Sequence, residues 1–534
     1  MEKLAGDRLE EFAELVAHHY ATAAIGEDAD LAWADEPAAR EAVRTKAFEA
    51  LVLAGHVARR RFAVAKAVEL HEQALALAQT AGDRARALEE LGDDHVAVYH
   101  GDEALDSYRQ ALTIIRSGGG GDSDRARICL KAGRMAAEKS GAFRVQLDPA
   151  EVESLAREGL EAATDEEARA WLLSLVGACA MYWRMMARHD PVPLEERIDA
   201  TREALDIAQR IHIADLETFA ARELSELYFV AGSFRQAVEI SQRQLSVVDR
   251  VESPQERALV FFEVGNTLMD LAGEYEEGLE LARRSYQLAT DRSPHELMHA
   301  TYVLLYANYH LGRWEEVPSI LDEHLAAFRH EADVSCYAVR SGPLIGSLVL
   351  AHQGDPDRAR EVAAAVPTAG GTPRFEGLRA RLMVATGDPA AGREIAERIR
   401  AAGDLWRAPD AIVAGVEALV ELSDWPGLVE FLSQTRPLGA VSATLEPTRD
   451  RAEGLMRAAR GETDEAEVLL RRALEGFERL KVPFEIARTQ EALASVSPAG
   501  ESGTLLQRAL ETYERLEARP HAERVRKRLT GSAT

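Results

Sequence analysis

"ALEELGDDHVAVYHGDEALDSYRQALTI", Ala87 to Ile114, places Leu88, Leu91 and Gly92 on one side of a turn and Ala104, Tyr108 and Ala111 on the other. Both sets recur at three- and four-residue steps, the period of a helix face. The small members, Gly92, Ala104 and Ala111, suit two helices crossing closely. The segment therefore predicts an antiparallel helical hairpin.

The same register appears twice more. Leu51 and Gly55 precede Ala67, His71 and Ala74, and Gly454 precedes Ala466, Leu470 and Ala473. In each case the small residue of the first helix stands twelve positions before the first Ala of the second. Ser225 with Ala237 fits the register, Leu305 is matched by Val317, and the pair beginning at Gly265 runs one residue long before Gly278. Repeated hairpins that bury their apolar faces only against neighbours form a solenoid. Glycines in "VAGSF" (Val230 to Phe234), "HLGRW" (His310 to Trp314), "HQGDP" (His352 to Pro356), "ATGDP" (Ala385 to Pro389) and "ARGET" (Ala459 to Thr463) mark helix stops.

This pattern resembles the tetratricopeptide repeat. The resemblance implies an all-α, right-handed superhelical solenoid of antiparallel helix pairs with degenerate repeats. Two joints, "SGGGGDSD" (Ser117 to Asp124) and "PTAGGTPR" (Pro367 to Arg374), divide it. The expected organisation is a linking helix over 1–36, first repeats over 37–117, a central array over 123–366, and a C-terminal array with a capping helix over 374–534.

Composition agrees with many small-residue helix contacts: 46% of the 534 residues are hydrophobic, 29% charged and only 6% aromatic. A formal charge of −27 repels nucleic acid and anionic lipid, so neither is an expected partner. The longest apolar run, Trp171 to Trp183, is shorter than a bilayer-spanning helix. Cys129, Cys179 and Cys336 lack zinc-ribbon or disulfide spacing, and the N-terminus lacks the pattern of a signal peptide, so a reducing, cytoplasmic setting is expected.

Candidate chemistry is sparse. No glycine is followed by lysine, which excludes a phosphate-binding P-loop, and no G-x-S-x-G elbow occurs. No cofactor is expected. "SPHELMH" (Ser293 to His299) contains H-E-x-x-H, in which His295 and His299 would hold zinc and Glu296 would activate water. With Ser293 as N-cap and Pro294 as first helical residue, the same letters read as an ordinary helix start. A third ligand has to be sought downstream, at Glu323 or His324, and no metal site or catalytic residue is assigned. The adjacent His18 and His19 point about 100° apart on a helix and do not chelate together. "MYWRMM" (Met181 to Met186) reads as core packing. Arg524, Arg526, Lys527 and Arg528 form the solvated face of a last helix.

Aligned on their crossing residues, the first helices of three successive repeats direct Arg222, Glu226 and Phe229, then Phe262, Asn266 and Met269, then Tyr302, Tyr306 and Tyr309 to one face. Asn266 suits a peptide backbone, Arg222 a carboxylate, and the tyrosines an apolar segment with polar edges. The alternative is that the tyrosines fill the hairpin core.

The segments "LAGDRLEEFAELVAHHYATA" (Leu4 to Ala23), "DEAEVLLRRALEGFERLKVPFEIARTQEALA" (Asp464 to Ala494) and "LLQRALETYERLEARPHAERVRKRL" (Leu505 to Leu529) are similar to the repeat regions of bacterial STAND-type signalling ATPases, including cyclase-associated ones, and of LuxR-type regulators. The resemblance implies a sensor arm that binds a protein or peptide and restrains an ATPase or cyclase module. No ATPase, cyclase or helix-turn-helix pattern is present in this sequence, so those activities do not transfer. The expected function is that of a non-catalytic scaffold or sensor that binds a protein or peptide; the alternatives are a zinc-dependent hydrolase centred on His295, Glu296 and His299 and a purely structural assembly scaffold.

Overall fold

The computed structural model describes residues 10–26, 28–139, 142–144, 147–186, 188–289, 294–329, 336–367 and 372–531. Among these, every regular element is a helix. Sequence neighbours pair antiparallel and successive pairs stack, giving two compact units, residues 1–232 and 233–534.

In the first unit α1 (Ala13–Ile25) packs on α2 (Pro37–Arg60). There follow α3 (Val64–Leu77), α4 (Ala81–Ala97) and α5 (Gly101–Ile114). The small-residue register has a direct steric meaning here. A Cβ at Gly55 would lie 2.2 Å from the His71 ring, and one at Gly92 would lie 2.4 Å from the Tyr108 ring. Each glycine thus receives the bulky residue sixteen positions later. Helix α4 begins with a capping box, in which Thr80 Oγ1 accepts from the Asp83 amide at 3.0 Å and Asp83 accepts from the Thr80 amide at 3.0 Å. The Gly118 to Gly121 run begins inside a short π-helical turn, Ile115–Gly119, in which Gly118 takes a φ of +95°, and leads into the helix Asp122–Glu138.

Polar groups bridge the helices of this unit, both between and within hairpins. His71 Nδ1 lies 2.5 Å from Asp94, Arg59 reaches Glu90 and Asp94, and the Tyr108 hydroxyl donates to Asp93 at 2.6 Å. Arg197, fully buried, is neutralised by Asp190 at 2.6 Å and Glu153 at 2.8 Å. Tyr182 and Trp183 are core residues, as the packing reading of "MYWRMM" expects, with the Tyr182 hydroxyl donating to the Leu147 carbonyl.

In the second unit the helices used below are α6 (Pro254–Thr267), α7 (Tyr275–Ala289), α8 (Pro294–Leu311), α9 (Val317–Phe328), α10 (Tyr337–Gln353), α11 (Pro373–Ala385), α12 (Pro409–Glu421) and α13 (Trp425–Thr435). They are followed by α14 (Leu445–Ala459), α15 (Thr463–Leu480), α16 (Pro483–Leu493), α17 (Ala499–Arg515) and α18 (Arg519–Gly531). First helices α6, α8, α10, α11, α12, α14 and α16 stack in sequence order, and α16 and α18 return to touch α8 and α10. Lys481 pairs with Glu276 at 2.6 Å, and Phe484 packs its ring 5.1 Å from Trp314, joining positions far apart in sequence.

The long repeat at Gly265 has a local cause. A π-helical turn, Leu268–Ala272, follows α6 and absorbs one additional residue, so Gly265 still meets Gly278 closely. The hairpin at Gly415 escapes the small-to-Ala reading: Gly415 faces Phe431, again sixteen residues on, but its position twelve is Gly427. All five expected helix-stop glycines, Gly232, Gly312, Gly354, Gly387 and Gly461, have positive φ.

Candidate functional site

The nine face residues read from the sequence divide between the two units. In the first, Arg222 is buried, with its Nε 3.2 Å from Glu223 and its guanidinium over the Phe219 ring. Glu226 is exposed and Phe229 half-buried.

In the second unit Phe262, Met269, Tyr302, Tyr306 and Tyr309 are all buried, and Asn266 is half-buried. The three tyrosines are adjacent to a set of charged groups contributed by distant helices. Arg374, at the start of α11, lies 2.7 Å from Asp270 and donates to Asn266 Oδ1 at 3.4 Å. Its guanidinium also sits 5.9 Å from the Tyr306 ring and 5.4 Å from that of Tyr337. Two turns further along α11, Arg381 donates to Asp410 at 2.8 Å and to the Tyr309 hydroxyl at 2.9 Å. Beyond it, Arg451 and Arg488 share the carboxylates of Glu417 and Glu485.

Burial shapes the protonation of this set. It raises the Tyr306 and Tyr337 hydroxyls well above their usual value, and Tyr309 to about 12. Burial works against the charge of Arg374, yet Asp270 and the surrounding tyrosines hold it protonated, above the ordinary arginine value. His310 stacks on Tyr275 at 4.4 Å, and burial, reinforced by Arg381, pulls its pKa down to about 3. It is therefore neutral at physiological pH.

Several polar atoms here meet no hydrogen-bond partner among the described residues: the Tyr275 hydroxyl, Asp270 Oδ1, His310 Nε2 and Arg374 Nε. The group mixes donors and acceptors on neighbouring side chains. Leaving such atoms unmatched costs on the order of 1–3 kcal/mol each.

The H-E-x-x-H segment opens α8, with Pro294 as first helical residue as the spacing predicts; Ser293 lies outside the described residues. His295 and Glu296 are buried, and His299 Nε2 lies 3.1 Å from the Cys336 sulfur. Glu323 and His324 are committed elsewhere. Glu323 accepts from the Tyr286 hydroxyl at 2.8 Å, and His324 lies between Thr301 and the Val339 carbonyl. The basic end of α18 is paired as well, Arg524 with Glu491 and Arg526 with Glu514. His18 and His19 are exposed on α1.

The cross-helix partners Asp270, Arg374, Arg381 and Asp410 were not singled out by sequence reasoning. The first-helix alignment extends to α11 and would have placed Arg374 and Arg381 two repeats beyond the tyrosines.

No protein-family model matches the chain, and no curated protein matches it. Among solved structures it is similar to a Rap protein complexed with competence and sporulation factor, at 13% identity and TM-score 0.44 over 67% of this chain and 99% of that one. It is similar to the APC/C hetero-tetramer Cut9-Hcn1 at 15% identity and TM-score 0.49, over 98% of both chains. It is also similar to a STAND protein with a tetratricopeptide repeat sensor from Pyrococcus horikoshii, at 14% identity and TM-score 0.42, over 74% of this chain and 55% of that one. The chain's own geometry, stacked helical hairpins, is of the tetratricopeptide kind.

Proposed function

We propose that the chain is a non-catalytic scaffold or sensor that binds a protein or peptide partner, acting as the regulatory arm of a bacterial, cytoplasmic signalling or transcription-regulating system. The partner would be a segment of a signalling ATPase or cyclase module, or a peptide that governs one. Its main contact is the second-unit face formed by Phe262, Asn266, Met269, Tyr302, Tyr306 and Tyr309, with Arg222, Glu226 and Phe229 as a separate contact on the first unit.

The observation that carries the reading is the cluster of buried polar atoms, one each on Asp270, Tyr275, His310 and Arg374, that meet no hydrogen-bond partner among the described residues. A core serving stability alone is better filled by apolar groups, because buried ion pairs rarely repay their desolvation. A peptide backbone presents alternating donors and acceptors, which this mixed set matches. Tyrosine rings add apolar contact at small entropic cost. An entering segment would exchange the Arg374 contact with Asn266 for its own amide, so binding requires the side chains of this face to rearrange.

The test is selection of a random-peptide library on the immobilised full chain. The reading expects one enriched sequence family whose affinity drops at least about tenfold in the double variant Asn266→Ala, Tyr306→Ala, with helical content retained by circular dichroism. Absence of any enriched family, or binding indifferent to the double variant, would overturn it.

A further inference from the structure

We propose that His295, His299 and Cys336 form a binding site for one zinc-type divalent ion, a site that adjoins the partner-binding face at Phe262. One ring nitrogen of each histidine and the Cys336 sulfur all lie within 4.8 Å of one another. Two features bring them together. His295 and His299 stand four residues apart on α8 and so share one helix face, their ring centroids 4.7 Å apart. Cys336 immediately precedes α10, which packs along α8, and its sulfur is already 3.1 Å from His299 Nε2.

Zinc–nitrogen bonds near 2.0 Å and zinc–sulfur bonds near 2.3 Å in a tetrahedron set donors about 3.5 Å apart. The observed spacing reaches that with small side-chain rotations. The Phe262 ring lies flat on His299 at 4.6 Å and 13°, fixing the imidazole plane as an apolar second layer does at metal centres. One thiol and two imidazoles are a borderline-to-soft donor set, which selects zinc over magnesium or calcium. On coordination the Cys336 thiol releases its proton to solvent, the sulfur and two neutral imidazoles donate electron pairs, and water takes the fourth position. The ion would tie the start of α8 to the start of α10.

A second cluster, His56, His71 and Glu90, has similar spacing but different chemistry. His71 is held between Asp94 at 2.5 Å and the Val52 carbonyl at 3.3 Å, and Glu90 already serves His56 and Arg59. Those donors form an ion-pair network with Arg59 and Asp94.

The full chain, stripped with chelator, is titrated with cobalt(II) and then with zinc. One equivalent of cobalt is expected to produce thiolate-to-cobalt charge-transfer absorption and the visible bands of a tetrahedral site, both bleached by zinc. Cys336→Ser should abolish the charge-transfer band, and His299→Ala should weaken binding at least about tenfold. The exposed pair His18→Ala, His19→Ala should change neither. If Cys336→Ser does not fold by circular dichroism, thiol alkylation of the wild-type chain decides: zinc should slow modification of Cys336 at least about tenfold. Cobalt binding without a charge-transfer band, equal binding by folded Cys336→Ser, or unprotected alkylation would overturn the proposal.

Discussion

Arg381 donates to the hydroxyl of Tyr309 at 2.9 Å although 72 residues separate them, and the same guanidinium holds Asp410 at 2.8 Å. Both members of the ion pair are buried. Removing one partner leaves a charge in the core, so Arg381→Leu is expected to destabilise the chain by about 3–5 kcal/mol. The double variant Arg381→Leu, Asp410→Leu should recover much of that loss. Urea unfolding of the full chain, with the two singles and the double forming a cycle, measures it.

The hairpin register makes a steric prediction. Gly92→Ala drives a methyl into the Tyr108 ring and should cost about 1–3 kcal/mol. Gly503, inside α17, has nothing near the position of a Cβ, so Gly503→Ala should stabilise by about 0.5–1 kcal/mol through lost freedom of the unfolded chain. Thermal unfolding of the two variants should shift in opposite directions.

Acid should loosen the second unit before its carboxylates titrate. An unfolded histidine takes up its proton near pH 6.5, whereas burial delays His310 to about 3 and His324 to about 4. Between these values the unfolded chain binds more protons, so stability falls as pH falls; above pH 6.5 the effect vanishes. For His310 alone the loss at pH 5 is about 2 kcal/mol. His310→Phe, which keeps a ring against Tyr275, should flatten the decline between pH 7 and pH 5 in denaturant melts.

Much of the fold was legible in the sequence because its governing constraint is local. Gly92 admits Tyr108, Gly55 admits His71, and the positive-φ glycines end their helices, all within a few turns of chain. The irregular repeat at Gly265 was visible as one additional residue, and its resolution, the π-helical turn Leu268–Ala272, is equally local. The Gly415 hairpin was hidden because Gly427 stands where the pattern wanted Ala. The site was legible only by halves. Helical spacing aligned Tyr302, Tyr306 and Tyr309, but the partners that surround them arrive from 72 and 108 residues away, as Arg381 to Tyr309 and Arg374 to Asn266. No periodicity encodes such pairs. Cys336 beside His299 is a third case: two helix starts meet there, and the sequence names only one of them.

Hydrogen–deuterium exchange of the full chain, with and without a selected peptide, tests the proposed binding face most directly. The account predicts slowed amide exchange in Pro294–Leu311 and Pro373–Ala385, the helices that carry the tyrosines, Arg374 and Arg381. Protection confined to other helices, with these two unchanged, would contradict it.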